Sequence, residues 1–146
     1  FMEDLQDFLK GKKYKKIKFT VLKTQHLLIK GKINGIKGNF ILDTGASNSC
    51  VGFESIEHFK LDAQFSETKA AGAGATGIET QLAKNNEIQL GRWKNKKFHL
   101  IVFDMSHVNE ALTHYKTKPV DGIIGADVLL KGKAIIDYSN NYLYLK

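Results

Sequence analysis

Apolar residues recurring at every second position between Ile17 and Leu42 constrain this chain more than any other feature of its sequence. Ile17, Phe19 and Val21 alternate with Lys16, Lys18 and Thr20; Leu27, Ile29 and Ile33 follow, then Ile36, Gly38, Phe40 and Leu42. A period of two gathers one set of side chains on a single face of an extended strand, whereas a helix would scatter them. Asn34-Gly35 stands between the last two runs. Both residues tolerate the positive φ of a type I′ turn, so the pair predicts a tight hairpin.

The rest of the chain reads as short strands with a few short helices. Glu3–Lys10 predicts an amphipathic helix with Leu5, Phe8 and Leu9 on one side and Gly11 as its stop. Val51–Phe53 reads as a brief strand and Glu54–Lys60 as a helical turn or two. Ile78, Thr80 and Leu82 alternate again, and Glu87–Leu90 and Phe98–Phe103 predict strands around the turn Gly91-Arg92-Trp93. Ser106–Lys116 is the best helix, with Val108, Ala111, Leu112 and Tyr115 on one face and Ser106 as its cap. Gly122-Ile123-Ile124-Gly125 has the pattern of a buried strand, Ala126–Lys131 of a short helix. Lys133–Tyr138 and Tyr142–Lys146 predict a closing hairpin across Asn140-Asn141. The fold class is mainly β, a closed or sandwich-like barrel. No linker interrupts residues 1–146, which predicts one domain, with residues 1–24 as a helix-strand extension docked on it.

Composition narrows the function. The 146 residues are 42% hydrophobic and 25% charged, values of a globular chain with a core of its own. No apolar run reaches the length of a membrane helix, no export signal opens the sequence, and Phe1-Met2 suggests a native start at Met2; the compartment stays unassigned. The net charge of +7 lies wholly in residues 1–37, where 10 Lys face Glu3, Asp4 and Asp7. Arg92 is the sole arginine. Readers of bases and phosphates lean on the guanidinium fork, so the lysines read as a solvated face, without specific nucleic-acid binding.

Other chemistries fail on context. Gly72-x-Gly74-x-x-Gly77 spells a dinucleotide fingerprint, but a strand pattern follows it where a helix is required. His107 and His114 share a helix face without a third ligand, so no metal is assigned. Cys50 has no histidine placed near it as a base and reads as a small buried thiol. No cofactor is implied.

One combination is specific. Phe40-Ile41-Leu42 runs straight into Asp43-Thr44-Gly45-Ala46-Ser47, which sets a carboxylate at the end of an apolar strand, followed by a hydroxyl and a glycine. About 80 residues later comes Ile123-Ile124-Gly125. Between them lies the glycine-rich stretch Gly72-Ala73-Gly74-Ala75-Thr76-Gly77. On these residues the chain resembles the retropepsin-like aspartic proteases over about residues 25–146, most nearly their single-lobe bacterial members.

The resemblance implies a closed acid-protease barrel with a glycine-rich flap hairpin. It makes Asp43 the catalytic carboxylate of an endopeptidase acting on peptide or protein substrates. Thr44 would bond across to a partner loop, and Gly45 would offer its backbone to substrate. Ala46 and Ser47 complete the loop, Ile123, Ile124 and Gly125 brace it, and Gly72–Gly77 hold the flap tip. The chemistry needs two carboxylates, one as base toward water and one as acid toward the scissile carbonyl. The chain holds a single Asp-Thr-Gly, so the resemblance implies a homodimer pairing two copies of Asp43. The alternative is an inactive, monomeric module that binds peptides or scaffolds a partner. Ala126 and Ser47 stand where retroviral enzymes carry an Arg and an Asp that pair, a departure from the viral pattern. Ala46 replaces a second hydroxyl beside the carboxylate, which in the family goes with a less acidic optimum.

Overall fold

The computed structural model describes residues 4–70 and 78–146. The barrel is built from β2 (Leu27–Ile33), β3 (Ile36–Leu42), β4 (Cys50–Gly52), β6 (Ile78–Leu90), β7 (Trp93–Phe103) and β8 (Gly122–Ile124). These strands neighbour one another in the order β6-β7-β4-β8-β3-β2, and pairing of β2 with β6 closes the ring. The mainly β, closed barrel expected from the resemblance is therefore the observed architecture.

The hairpin forms where Asn34-Gly35 placed it, with φ of 53° and 78° at the two residues and Ile33 opposite Ile36. Ile29, Phe40, Leu100, Val102 and Ile124 point into the barrel and form its core. Ile41, Cys50, Phe103 and Ile123 point the other way, into a second apolar layer with Met105, Leu112 and Val120. The last three residues of β3, Phe40–Leu42, and all of β8 are buried on both faces, and there the sequence runs apolar without alternation.

Outside the ring, the single turn α2 (Ser55–His58) follows β4, and β5 (Ala63–Ala70) pairs with β6, Ala70 lying opposite Ile78. The expected flap tip, Gly72–Gly77, lies outside the described residues. On the other flank, β1 (Lys15–Val21) joins β2 to β10 (Tyr142–Leu145), and β10 pairs in turn with β9 (Ile135–Asp137). The Trp93 indole N–H reaches the Lys146 carbonyl at 3.3 Å, and the Tyr14 hydroxyl the Lys133 carbonyl at 2.9 Å.

Several expectations need correction. The first helix, α1 (Leu5–Gly11), buries only Leu9; Leu5 and Phe8 are 42% and 49% exposed. Its cap comes from Asp4, whose carboxylate accepts the Asp7 N–H at 2.9 Å. In β1, Ile17 and Phe19 are buried but Val21 is exposed at the strand end. Of the expected apolar face of α3 (Ser106–His114), only Leu112 is fully buried; Tyr115 lies beyond the helix in solvent. Ser106 is the first residue of the helix and not its cap, which is Met105; the Ser106 N–H donates to Asp104 Oδ1 at 2.9 Å. Hydrogen bonds from Ser106 hold that exposed carboxyl below its ordinary range. The turn between β6 and β7 is Gly91-Arg92, with buried Trp93 already in the strand.

Candidate active site

The site is framed by three strands that meet at one end of the barrel. β8 lies between β3, parallel to it with Leu42 opposite Ile124, and β4, antiparallel to it with Cys50 opposite Ile123. Residues 43–49 must therefore pass over the end of β8 to connect its two neighbours. The crossing is tight. A Cβ on Gly125 would lie 2.6 Å from the Ala46 carbonyl oxygen, and one on Gly122 would run into the Cys50 carbonyl oxygen. Glycine at both positions lets the loop and β4 close onto β8.

Asp43 follows the last residue of β3 and is exposed. Its N–H donates to the Ile124 carbonyl at 2.9 Å, continuing the ladder one step past the strand. Its Oδ1 accepts the Gly45 N–H at 2.9 Å, and its carbonyl accepts the Ala46 N–H at 3.2 Å. The carboxylate is thus oriented by its own loop while facing solvent. Thr44, Gly45 and Ser47 are exposed beside it, and Ala46 is half-buried. The Ala46 carbonyl accepts the Ala126 N–H at 2.7 Å, tying the loop to the start of α4 (Ala126–Lys131). The structure thus brings Asp43–Ser47 together with Ile124, Gly125 and Ala126. Ile123 sits one residue further back, its side chain in the second apolar layer.

Two residues at the site carry more than the sequence reading gave them. Ser49 is fully buried. Its hydroxyl donates to Asp127 Oδ1 at 2.7 Å and accepts the Gly125 N–H at 2.9 Å. Its own N–H donates to Asp127 Oδ2 at 2.8 Å. Asp127, assigned by sequence only to the helix, also accepts the Val128 N–H at 2.8 Å. One carboxylate and one hydroxyl together fasten the far end of the loop. The available signal was weak: an acid in the first turn of a short helix and a serine just before an apolar strand.

Cys50 is buried beneath the loop, and burial pushes its thiol up to about 12, with the Asp127 and Asp43 carboxylates adding to the effect. It stays a thiol at neutral pH and is no nucleophile. No cluster of three or more metal-ligating side chains occurs among the described residues.

The aspartyl protease family model matches residues 29–128, from β2 through the start of α4. The chain belongs to the aspartyl protease family. None of the curated proteins compared matches the chain at the sequence level. Solved structures of this kind share its fold. A retropepsin-like aspartic protease from Rickettsia conorii aligns with a TM-score of 0.61 at 18% identity, over 90% of this chain and 89% of that one. The EIAV protease, solved with the inhibitor HBY-793, aligns at 0.59 and 22% identity, over 81% of this chain and 98% of that one. The retroviral protease-like domain of Ddi1 from Leishmania major aligns at 0.57 and 20% identity, over 83% and 88%. Membership in the aspartyl protease family supports proteolysis as the general function.

Proposed function

We propose that the chain is an aspartic endopeptidase that works as a homodimer, with Asp43 of each copy supplying one carboxylate. The observation that carries this reading is the setting of Asp43: exposed, at the end of a buried strand, with Oδ1 held by the Gly45 amide at 2.9 Å. A lone carboxylate in that place cannot serve as base and acid in the same step, and the sequence holds no second Asp-Thr-Gly. Two copies related by a two-fold axis supply the pair. Held close, the two carboxylates share one proton, which is the handling of charge this protease class uses. The ionised member takes a proton from water as it attacks the scissile carbonyl; the protonated member donates to the carbonyl oxygen. The exposed Thr44 in this reading bonds across the axis, and Ile123, Ile124 and Gly125 brace the loop. In this reading the whole chain is a single domain, with residues 1–24 attached through the pairing of β1 to β2 and β10.

Sedimentation equilibrium together with cleavage of an unfolded protein substrate tests the proposal. The expected result is a species of twice the chain mass, with activity that Asp43→Asn removes. Full activity in a strictly monomeric sample contradicts the shared pair, and activity in Asp43→Asn removes Asp43 from the reaction.

A further inference from the structure

The sheet changes partner along one edge of β2, and the change coincides with a groove on its outer surface. β2 pairs with β1 as far as Phe19 opposite Ile29, and with β6 from Lys32 opposite Gln89 onward. On that edge Lys30 falls between the two pairings, while Gly31 lies against the end of β6, where a Cβ on it would meet Leu90 Cδ2 at 2.6 Å and the Gln89 carbonyl oxygen at 2.9 Å. A groove of about 730 Å³ lies here, bordered by Lys30, Lys32 and Lys37 with Gln89 and Gly91. Its one acidic residue, Asp121, already accepts the Asn39 N–H at 2.8 Å through Oδ2. A second groove of about 410 Å³ also reaches Gly91, and Lys10, Lys15, Lys16 and Arg92 border it. Both border Gly91, and taken together as a track they are edged by seven basic side chains and a single acid.

The track is separate from the candidate active site. Asn39, on its border, stands four residues before Asp43 on β3, about 13 Å along an extended strand. Lys10, Lys15 and Lys16 lie ahead of residues 29–128, the part that matches the aspartyl protease family. The amino-terminal segment thus adds a charged surface to the family's barrel.

We propose that this track docks an extended, acidic polypeptide segment. Charge complementarity requires an anionic partner, and the break in the ladder favours a peptide over a nucleic acid. Along an antiparallel strand, alternate residues turn their N–H and C=O to the same side. The Asn34 N–H donates to the Glu87 carbonyl at 2.8 Å, so Lys32 and Lys30 face that side as well, Lys30 at the break. A peptide laid there brings both a donor and an acceptor in strand geometry. A sugar-phosphate backbone brings acceptors without matching amides. Lys30 and Lys32, two residues apart on one face, also repeat at roughly 6.8 Å, the spacing of carboxylates at alternate positions of an extended peptide. Arg92 is the only guanidinium along the track, which leaves little for forked recognition of phosphate.

Fluorescence anisotropy on the full chain tests the proposal, with a labelled peptide of alternating Glu and Thr as probe. Wild-type protein binds it saturably, and the affinity falls as salt is raised. The triple variant Lys30→Glu/Lys32→Glu/Lys37→Glu weakens binding by about tenfold or more, and the milder Lys→Gln triple by roughly threefold. Reversal of Lys116, Lys118 and Lys131, which border neither groove, changes it by less than about twofold. The Lys→Gln triple keeps the test open if the charge-reversed protein does not fold. Undiminished binding by both folded groove variants overturns the proposal, as does the absence of saturable binding by wild type. Tighter groove-dependent binding of an oligothymidylate assigns the track to nucleic acid and also overturns it.

Discussion

The hydroxyl of Ser49 donates to the carboxylate of Asp127 at 2.7 Å, across 78 residues of sequence. Through that contact the far end of the 43–49 loop is fixed to the first turn of α4, and the same hydroxyl accepts the Gly125 N–H. Asp127→Ala leaves a buried hydroxyl and two amides without their acceptor. Bonds to a charged group are worth about 1.5–3 kcal/mol each, so the net loss is expected at about 2–4 kcal/mol. Asp127→Asn keeps one acceptor oxygen and loses about half as much. Urea unfolding of the two variants measures the difference; equal stability in all three proteins contradicts the role given to this carboxylate.

Asp43→Asn is expected to remove proteolysis while changing stability by no more than about 0.5 kcal/mol, because the side chain is exposed. Thermal unfolding and substrate cleavage on the same preparation separate the two effects.

Gly122→Ala is expected to be among the worst single changes in the protein. The new methyl would meet the Cys50 carbonyl oxygen, a backbone atom that cannot rotate away, and β4 must separate from β8. A loss of about 4 kcal/mol or a failure to fold is expected. A well-folded variant with wild-type stability would show that the strands tolerate a wider spacing.

Cys50 gives the fold a dependence on alkaline pH. The thiol ionises near its ordinary value of 9.0 in the unfolded chain and only near about 12 in the folded one. The unfolded state therefore releases its proton first. The stabilisation is complete below pH 9.0 and is lost as pH rises toward 12. Cys50→Ala is expected to flatten that slope in urea midpoints measured between pH 8 and pH 11, and native wild type to resist thiol reagents until it unfolds.

Leu9 and Phe8 make a paired test of the amino-terminal helix. Leu9→Ala removes a buried side chain and is expected to cost about 2 kcal/mol or more. Phe8→Ala acts on a half-exposed ring beside Lys12 and is expected to stay within about 0.5 kcal/mol. A reversed order of the two melting temperatures would mean that the helix docks by its other face.

What the sequence made legible was whatever is local or repeats with a short period. The Asn34-Gly35 hairpin, the strand ending at Asp43 and the apolar run before Gly125 could all be read because each needs only its neighbours. β6 and β7 were harder. Glu87–Leu90 and Phe98–Phe103 read as separate short strands, yet each ends a much longer one. The reason lies in the register shifts around Asn86, beside which Asn85 and, across the pair, Lys97 take φ of 61° and 62°. A bulge moves later residues to the opposite face, so alternation stops in the sequence while pairing continues in space. Leu5 and Phe8 misled for another reason. A helical face shows that burial is available, but only the docking geometry decides which of its residues receive it. The Ser49 contact was out of reach because its two weak local signals, a serine before an apolar strand and an acid in the first turn of a short helix, stand 78 residues apart.

The placement of β8 has a consequence for how this protein can fail. Its two neighbours are the strands on either side of the candidate loop, and the Asp43 amide itself hangs from the Ile124 carbonyl. The loop cannot fray by itself, as a surface loop does, because releasing it unzips the middle of a closed ring. Opening at Asp43 should therefore draw on the full cooperative stability of the barrel. A destabilised variant would then hold an intact geometry at the candidate site in a shrinking fraction of molecules, and would not carry a loosened geometry in all of them.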